Sequence, residues 1–155
     1  MTDLSDLLRP EAVLTGVAAA TKKAVLASVA AAAAGIVDGD ARDIGERLAA
    51  REKLGSTGFG YGVALPHARL PGLAVVTGVF VRLAQPIDFG AVDDLPVDLV
   101  FALLSPVEAG ADHLKALARV SRQLRDRAFL AKLRGAASCD ALYALLCEDQ
   151  ARDAA

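Results

Sequence analysis

From Val97 to Leu104 the chain reads Val-Asp-Leu-Val-Phe-Ala-Leu-Leu, with Asp98 the one polar residue. Near-continuous apolar character over this length fits a strand whose sheet is covered on both faces. A second run, Ala74 to Leu83, is rich in valine and also predicts a strand. Val63-Ala64-Leu65 makes a third, shorter one, and Val13-Leu14 starts a strand at a sheet edge. A sheet covered on both sides requires helices on both sides, and the chain supplies them. Thr21 caps a helix running to about Ala34 with Gly35 at its end, and Val25, Leu26, Val29 and Ala33 share one face. Asp40 caps the next helix, with Ile44 and Leu48 inward and Gly55 terminating it. Asp112 is the expected cap of a helix carrying Leu114, Leu117, Ala118, Ser121 and Leu124. Asp126 to Arg134 makes another, and Ser138 starts the last, with Leu142, Leu145 and Leu146 inward. Leu4, Leu7 and Leu8 form a helical turn ahead of Pro10, and the polar tail after Glu148 is expected to fray. The class is therefore α/β with a layered sheet.

With 155 residues, no internal repeat and no long linker, one domain spanning 1–155 is expected, its core at about 4–148. Hydrophobic content is 54% of the chain, but much of that is alanine. Lys22-Lys23 before the uncharged stretch from Ala24 to Val37 imitates a signal peptide. The stretch lies behind Asp3, Asp6 and Glu11, is mostly alanine, and is shorter than the ~18 residues a spanning helix requires. It reads as a core helix of a cytoplasmic protein that is not embedded in a membrane. The net charge of −2 is spread in both signs, and no basic stripe offers a nucleic-acid surface. Cys139 and Cys147 match neither a redox pair nor a zinc knuckle and read as small buried core residues.

The chemistry concentrates around two histidines. His67 follows Pro66 at the end of a short strand, just after the glycine-rich segment Gly55-Ser56-Thr57-Gly58-Phe59-Gly60-Tyr61-Gly62, which is too rich in glycine for a helix or an ordinary strand. His113 falls in the first turn of a helix. Neutral imidazole is a good nucleophile near pH 7, and a phosphoryl group on its nitrogen is labile enough to pass onward. The other ring nitrogen needs an acceptor, which a backbone carbonyl near a strand end can provide. A phosphohistidine also needs donors. Gly58, Gly60 and Gly62 would let backbone N–H groups approach, a helix start near His113 would add its positive end, and Arg51 a charged fork. Each has a plainer reading: a structural histidine after proline, a surface histidine at a helix start, a solvated arginine, glycines serving a tight turn. The glycine spacing matches neither a P-loop nor a dinucleotide fingerprint, and nothing in the sequence calls for a cofactor.

The ordered set of motifs is more specific. Arg51-Glu52-Lys53-Leu54-Gly55-Ser56-Thr57-Gly58, followed by Gly60-Tyr61-Gly62-Val63-Ala64-Leu65-Pro66-His67, resembles the active-site signature of EIIA domains of the fructose/mannitol/nitrogen-regulatory type, from the bacterial phosphoenolpyruvate-dependent phosphotransferase system. Gly78-Val79-Phe80-Val81, Pro86-Ile87-Asp88-Phe89, Pro96 to Leu104 and His113-Leu114-Lys115-Ala116-Leu117 extend the resemblance over about residues 4 to 148. The resemblance implies the type-2 EIIA fold, a mixed parallel and antiparallel sheet flanked by helices on both sides. It implies that His67 is phosphorylated, that His113 supports the phosphoryl group, and that Arg51 lines the same pocket. Ser56, Thr57, Gly58, Gly60, Gly62 and Pro66 match the pattern as supporting residues. Tyr61 stands where relatives often have a smaller or amide residue, and Ala68-Arg69 where Gly-Lys is common, so Arg69 is a candidate contact for a partner or the phosphate.

Arg-Glu-Lys-Leu-Gly-Ser-Thr-Gly and the Pro96 to Leu104 strand are most similar to the nitrogen-regulatory branch, as is a domain of this length standing without a fused EIIB or carrier. That implies phosphorylation by an HPr-like carrier and a regulatory output to target proteins, with potassium-transport and sensor proteins as candidates. The alternatives are a sugar-specific EIIA handing phosphate to an EIIB, and a binding module of the same shape that is not phosphorylated. A metal hydrolase is disfavoured by two histidines without a ligand arrangement.

Overall fold

A computed structural model describes residues 4–147. Among these residues six strands form one sheet: β1 (Val13–Val17), β2 (Gly58–Gly60), β3 (Val63–Ala64), β4 (His67–Leu70), β5 (Thr77–Ile87) and β6 (Val97–Pro106). The order is β1-β5-β6-β3-β2, with β4 also paired to β6. β1 runs parallel to β5, β5 antiparallel to β6, and both β3 and β4 parallel to β6. The sheet is thus mixed, as expected, and β1 lies at its edge.

β6 explains the architecture. Every residue from Leu99 to Leu104 is buried, and they alternate between two cores. Val100, Ala102 and Leu104 face α1 (Lys22–Ala34) and α2 (Ala41–Lys53), while Leu99, Phe101 and Leu103 face α3 (Ala111–Gln123), α4 (Arg127–Gly135) and α5 (Cys139–Cys147). Leu4, Leu7 and Leu8 close the second core, their turn held by Leu7 and Leu8 N–H groups on the Leu4 carbonyl.

The helix starts follow their caps. Thr21 Oγ1 accepts from Ala24 N, Asp40 Oδ2 from Asp43 N, Asp126 Oδ1 from Ala128 and Phe129 N, and Ser138 Oγ from Ala141 N. The third helix departs from expectation. Its cap is Gly110 rather than Asp112, and its buried face is His113, Ala116, Val120 and Gln123, leaving Leu114 exposed, while Leu124 is fully buried and Leu117 packs against the second core as expected. Both stripes are apolar enough to be buried. The small Ala116 permits close approach to β6, and His113 finds a polar partner there.

Two further departures concern strands. Gly58–Gly60 is a strand, not loop, because it pairs with β3 and packs against Ala91, where a Cβ on Gly58 would collide. The valine-rich strand begins at Thr77 rather than Ala74 and continues to Ile87. Cys139 and Cys147 are half-buried, at the two ends of α5, rather than fully buried, with Cys147 packed against the second core; the fully buried positions are Leu142 and Leu146. The tail after Glu148 lies outside the described residues.

Candidate functional site

β3 and β4 lie end to end along one flank of β6: Val63 and Ala64 beside Leu99 and Val100, then His67 to Leu70 beside Leu103 to Pro106. Leu65 and Pro66 interrupt the line. Proline has no N–H to give the ladder, so pairing breaks there. The Pro66 carbonyl still accepts from Leu103 N at 2.9 Å. The Leu65 carbonyl turns aside and accepts from His67 Nδ1 at 2.9 Å. A carbonyl can only accept, so Nδ1 carries the ring proton and Nε2 presents its lone pair. Pro66 thus places the acceptor expected from a strand end. His67 itself begins β4 instead of ending the preceding strand.

Along β4, Ala68 and Leu70 join the core beneath α1 and α2, so His67 and Arg69 take the opposite face. Among the described residues β4 pairs only with β6. Its free flank is where the two helical layers meet around the sheet. Arg51, in the last turn of α2, reaches round it: Nε donates to His67 Nε2 at 3.2 Å, and Nη1 to the Gly55 carbonyl at 2.9 Å. From the other layer, the first turn of α3 brings the His113 ring to 5.7 Å from that of His67, centroid to centroid. Its Nδ1 lies 2.6 Å from Ser105 Oγ on β6. Arg69 Nη1 donates to the Val107 carbonyl at 3.3 Å. The resulting hollow, about 480 Å³, is lined by Arg47, Ala50, Arg51, Leu54, His67, Ala68, Arg69 and His113.

Both rings are held below the usual histidine pKa. For His67 the main cause is burial, with the Arg51 charge adding to it and the Leu65 carbonyl and Glu52 opposing. For His113 it is burial, then the charge of Arg69 and the charge that His67 carries when protonated. Both are therefore neutral near pH 7, and His67 offers an unprotonated Nε2 amid arginines. Such a pocket suits an anionic group arriving at that nitrogen. Among the described residues no group of three histidine, cysteine or carboxylate side chains is placed to hold a metal.

His67, His113, Arg51 and Pro66 come together; the glycine loop does not join them. Gly60 ends β2, and Tyr61 and Gly62 form the turn between β2 and β3, at the other end of the strand line. Tyr61 and Gly62 line a separate hollow with Pro86, Pro96, Asp98, Arg127 and Arg134. Gly62 sits at φ +80 with Arg134 and Asp98 where a Cβ would project, so its glycine serves a close packing contact. Gly58 is fixed against Ala91. The expectation that these glycines bring N–H groups to His67 is thus corrected by the pairing of β2 with β3. Ser56 Oγ donates to the Phe89 carbonyl and accepts from Gly58 N. Thr57 Oγ1 and N both bond the buried Glu52 carboxylate, which also pairs with Lys22 Nζ at 2.9 Å. Arg47, Leu54 and Ser105 were not singled out in the sequence. Arg47 and Leu54 stand four and three residues from Arg51, which is the helical spacing that could have drawn attention to them.

Residues 6–149 match the family model described as "Phosphoenolpyruvate-dependent sugar phosphotransferase system, EIIA 2". The chain belongs to the type-2 EIIA family. Within it, this EIIA domain is similar to a nitrogen regulatory protein of Bradyrhizobium diazoefficiens, 50% identical over 143 residues that make up 92% of this chain and 94% of that protein. It is also similar to a fructose-specific EIIA component of Haloferax volcanii, 34% identical over 96% of this chain and 97% of that protein. The crystal structure of nitrogen regulatory protein IIA-Ntr from Neisseria meningitidis superposes with a TM-score of 0.87 at 32% identity, covering 92% of this chain and 98% of that one. The EIIA domain thus shares its fold with nitrogen-regulatory EIIA proteins. Among the described residues no helix is long and apolar enough to cross a membrane.

Proposed function

We propose that this EIIA domain, folding as one unit in the cytoplasm, accepts a phosphoryl group on Nε2 of His67 from an HPr-like carrier and signals through phosphorylation-dependent binding to regulatory targets. The observation that carries the reading is the Nδ1 hydrogen bond to the Leu65 carbonyl, which leaves Nε2 as the unprotonated, nucleophilic nitrogen. The Nε2 lone pair attacks phosphorus as the carrier's N–P bond breaks, its electron pair returning to the carrier's imidazole nitrogen. The Nδ1 proton stays on His67, where the Leu65 carbonyl stabilises the positive charge the ring acquires. Arg51 Nε moves its hydrogen bond from Nε2 to a phosphoryl oxygen, a charge-assisted contact in a pocket already formed. His113 faces the same hollow and supplies a second donor.

The phosphoryl group adds about two negative charges at one arginine-ringed patch, which is enough to change which surfaces bind there. Similarity to nitrogen regulatory proteins supports a regulatory output, with potassium-transport and sensor proteins as candidate targets. The 34% identity with a fructose-specific component supports the second reading, transfer onward to an EIIB. Incubation with phosphoenolpyruvate, enzyme I and a nitrogen-type or sugar-type HPr discriminates these. A single acid-labile phosphate, absent in a folded His67→Ala variant, is expected, arriving faster from the nitrogen-type carrier. Faster labelling by the sugar-type carrier, with onward transfer to an EIIB, would favour the second reading. No label from either would leave a binding module.

A further inference from the structure

We propose that Ser105 is a positioning residue: its hydroxyl holds His113 as the Nε2–H tautomer, so that the ring's one proton faces the hollow and donates to a phosphoryl group on His67. The inference rests on the phosphocarrier reading for its consequence, but not for the tautomer itself.

Ser105 lies on β6 two residues after Leu103, and therefore on the face that α3 covers. It is fully buried, beside Arg69 in the β4 register, and its Oγ lies 2.6 Å from His113 Nδ1. That is the hydroxyl's one hydrogen bond among the described residues. The direction of the bond follows from satisfaction. If Nδ1 carried the proton, it would donate to Oγ, and the serine hydrogen would be sealed in the sheet without an acceptor. If the serine donates, Nδ1 accepts and both groups are satisfied. The ring is neutral near pH 7 because burial disfavours its charged form, so its single proton then sits on Nε2. With Nδ1 anchored on the strand, Nε2 is the end left for the hollow that His113 shares with His67. The opposite tautomer would turn a lone pair toward an incoming phosphoryl oxygen and repel it. The two histidines thus hold opposite tautomers, each fixed by its Nδ1 partner: a carbonyl that can only accept for His67, a hydroxyl that donates for His113.

The test pairs ring 15N–1H correlation NMR on the unphosphorylated protein with the lifetime of the phosphorylated form. In the wild type, His113 is expected as Nε2–H with Nδ1 an acceptor, and His67 as Nδ1–H. Ser105→Ala should shift the His113 Nδ1 resonance toward a free acceptor and shorten the phosphoryl lifetime by roughly tenfold, the loss of about one hydrogen bond to a charged group. Ser105→Thr, which keeps the hydroxyl, should restore both, as a purely structural role would not require. A wild-type His113 protonated on Nδ1 overturns the proposal, as does an unchanged lifetime in a folded Ser105→Ala protein. The expected tautomer in a protein that no carrier phosphorylates would overturn the phosphocarrier reading and the use of that proton, while leaving Ser105's hold on the ring standing.

Discussion

At the scale of single residues, the candidate site holds two neutral imidazoles in a cationic pocket, and in our proposal they carry opposite tautomers. Because burial lowers both histidine pKa values below 6.5, the unfolded chain binds more protons than the native one between those lowered values and 6.5. The sign follows: stability is fully present above about pH 6.5 and is lost as the pH falls through the folded values. Asp6, whose carboxyl is held below its usual 3.8 mainly by a hydrogen bond from Arg119, adds to this only at more acidic pH. Urea unfolding at steps from about pH 8 to about pH 5 should therefore show a decline below about 6.5, and His113→Gln should flatten it. A wild-type profile flat across that range would contradict burial of the neutral rings.

At the scale of elements, the end of α2 is tied to the strands by Glu52. This carboxylate is buried, takes hydrogen bonds from Thr57 N and Oγ1, and pairs with Lys22 at the start of α1. Lys22 Nζ also lies 4.6 Å from the centre of the Phe89 ring. One residue earlier, Arg51 points into the site. The Arg-Glu pair thus divides its labour: Glu52 fixes where α2 ends relative to β2, and Arg51 takes its position from that. Glu52→Ala should cost about 2 kcal/mol, since Lys22 keeps partial access to water but the Thr57 donors lose their acceptor. Urea titration measures this loss. The phosphorylation rate should fall alongside it, because Arg51 loses its fixed base.

Across the whole molecule, β6 divides two cores, and His67 sits at the flank where the layers covering them converge. The geometry of the candidate site therefore depends on both layers while its two histidines stay at the rim. Phe101 anchors the second core, fully buried, edge-on to Phe80 with ring centres 6.2 Å apart, and in the space Gly78 leaves open. Phe101→Ala should destabilise the domain by about 3–5 kcal/mol in denaturant titration. It should still become phosphorylated under conditions where it remains folded, because Phe101 lies in the second core and does not line the hollow at His67. Loss of labelling in the folded variant would show that the site draws on the second core more directly.

What the sequence determined by itself is what neighbouring residues decide among themselves. The covered strand from Val97, the faces of α1 and α2, and the caps Thr21, Asp40, Asp126 and Ser138 all depend on periodicity and local hydrogen bonds, which act over a few residues. The ordered motifs also place the chain in its family, and the place of His67 after Pro66 implied a strand end with a carbonyl nearby; that a further strand starts at His67 was not legible. Tertiary structure decided whatever depends on partners far along the chain. Gly58–Gly60 became a strand because β3 and Ala91 were there to pair and pack. The glycine turn went to Arg134 and Asp98 rather than to His67. α3 turned its Ala116 stripe inward, leaving Leu114 in water and burying His113 on Ser105. Nothing near Ser105 in sequence marks it as a partner for His113, because the contact exists only once α3 has folded back over β6, and a helix with two apolar stripes chooses between them by what the sheet offers.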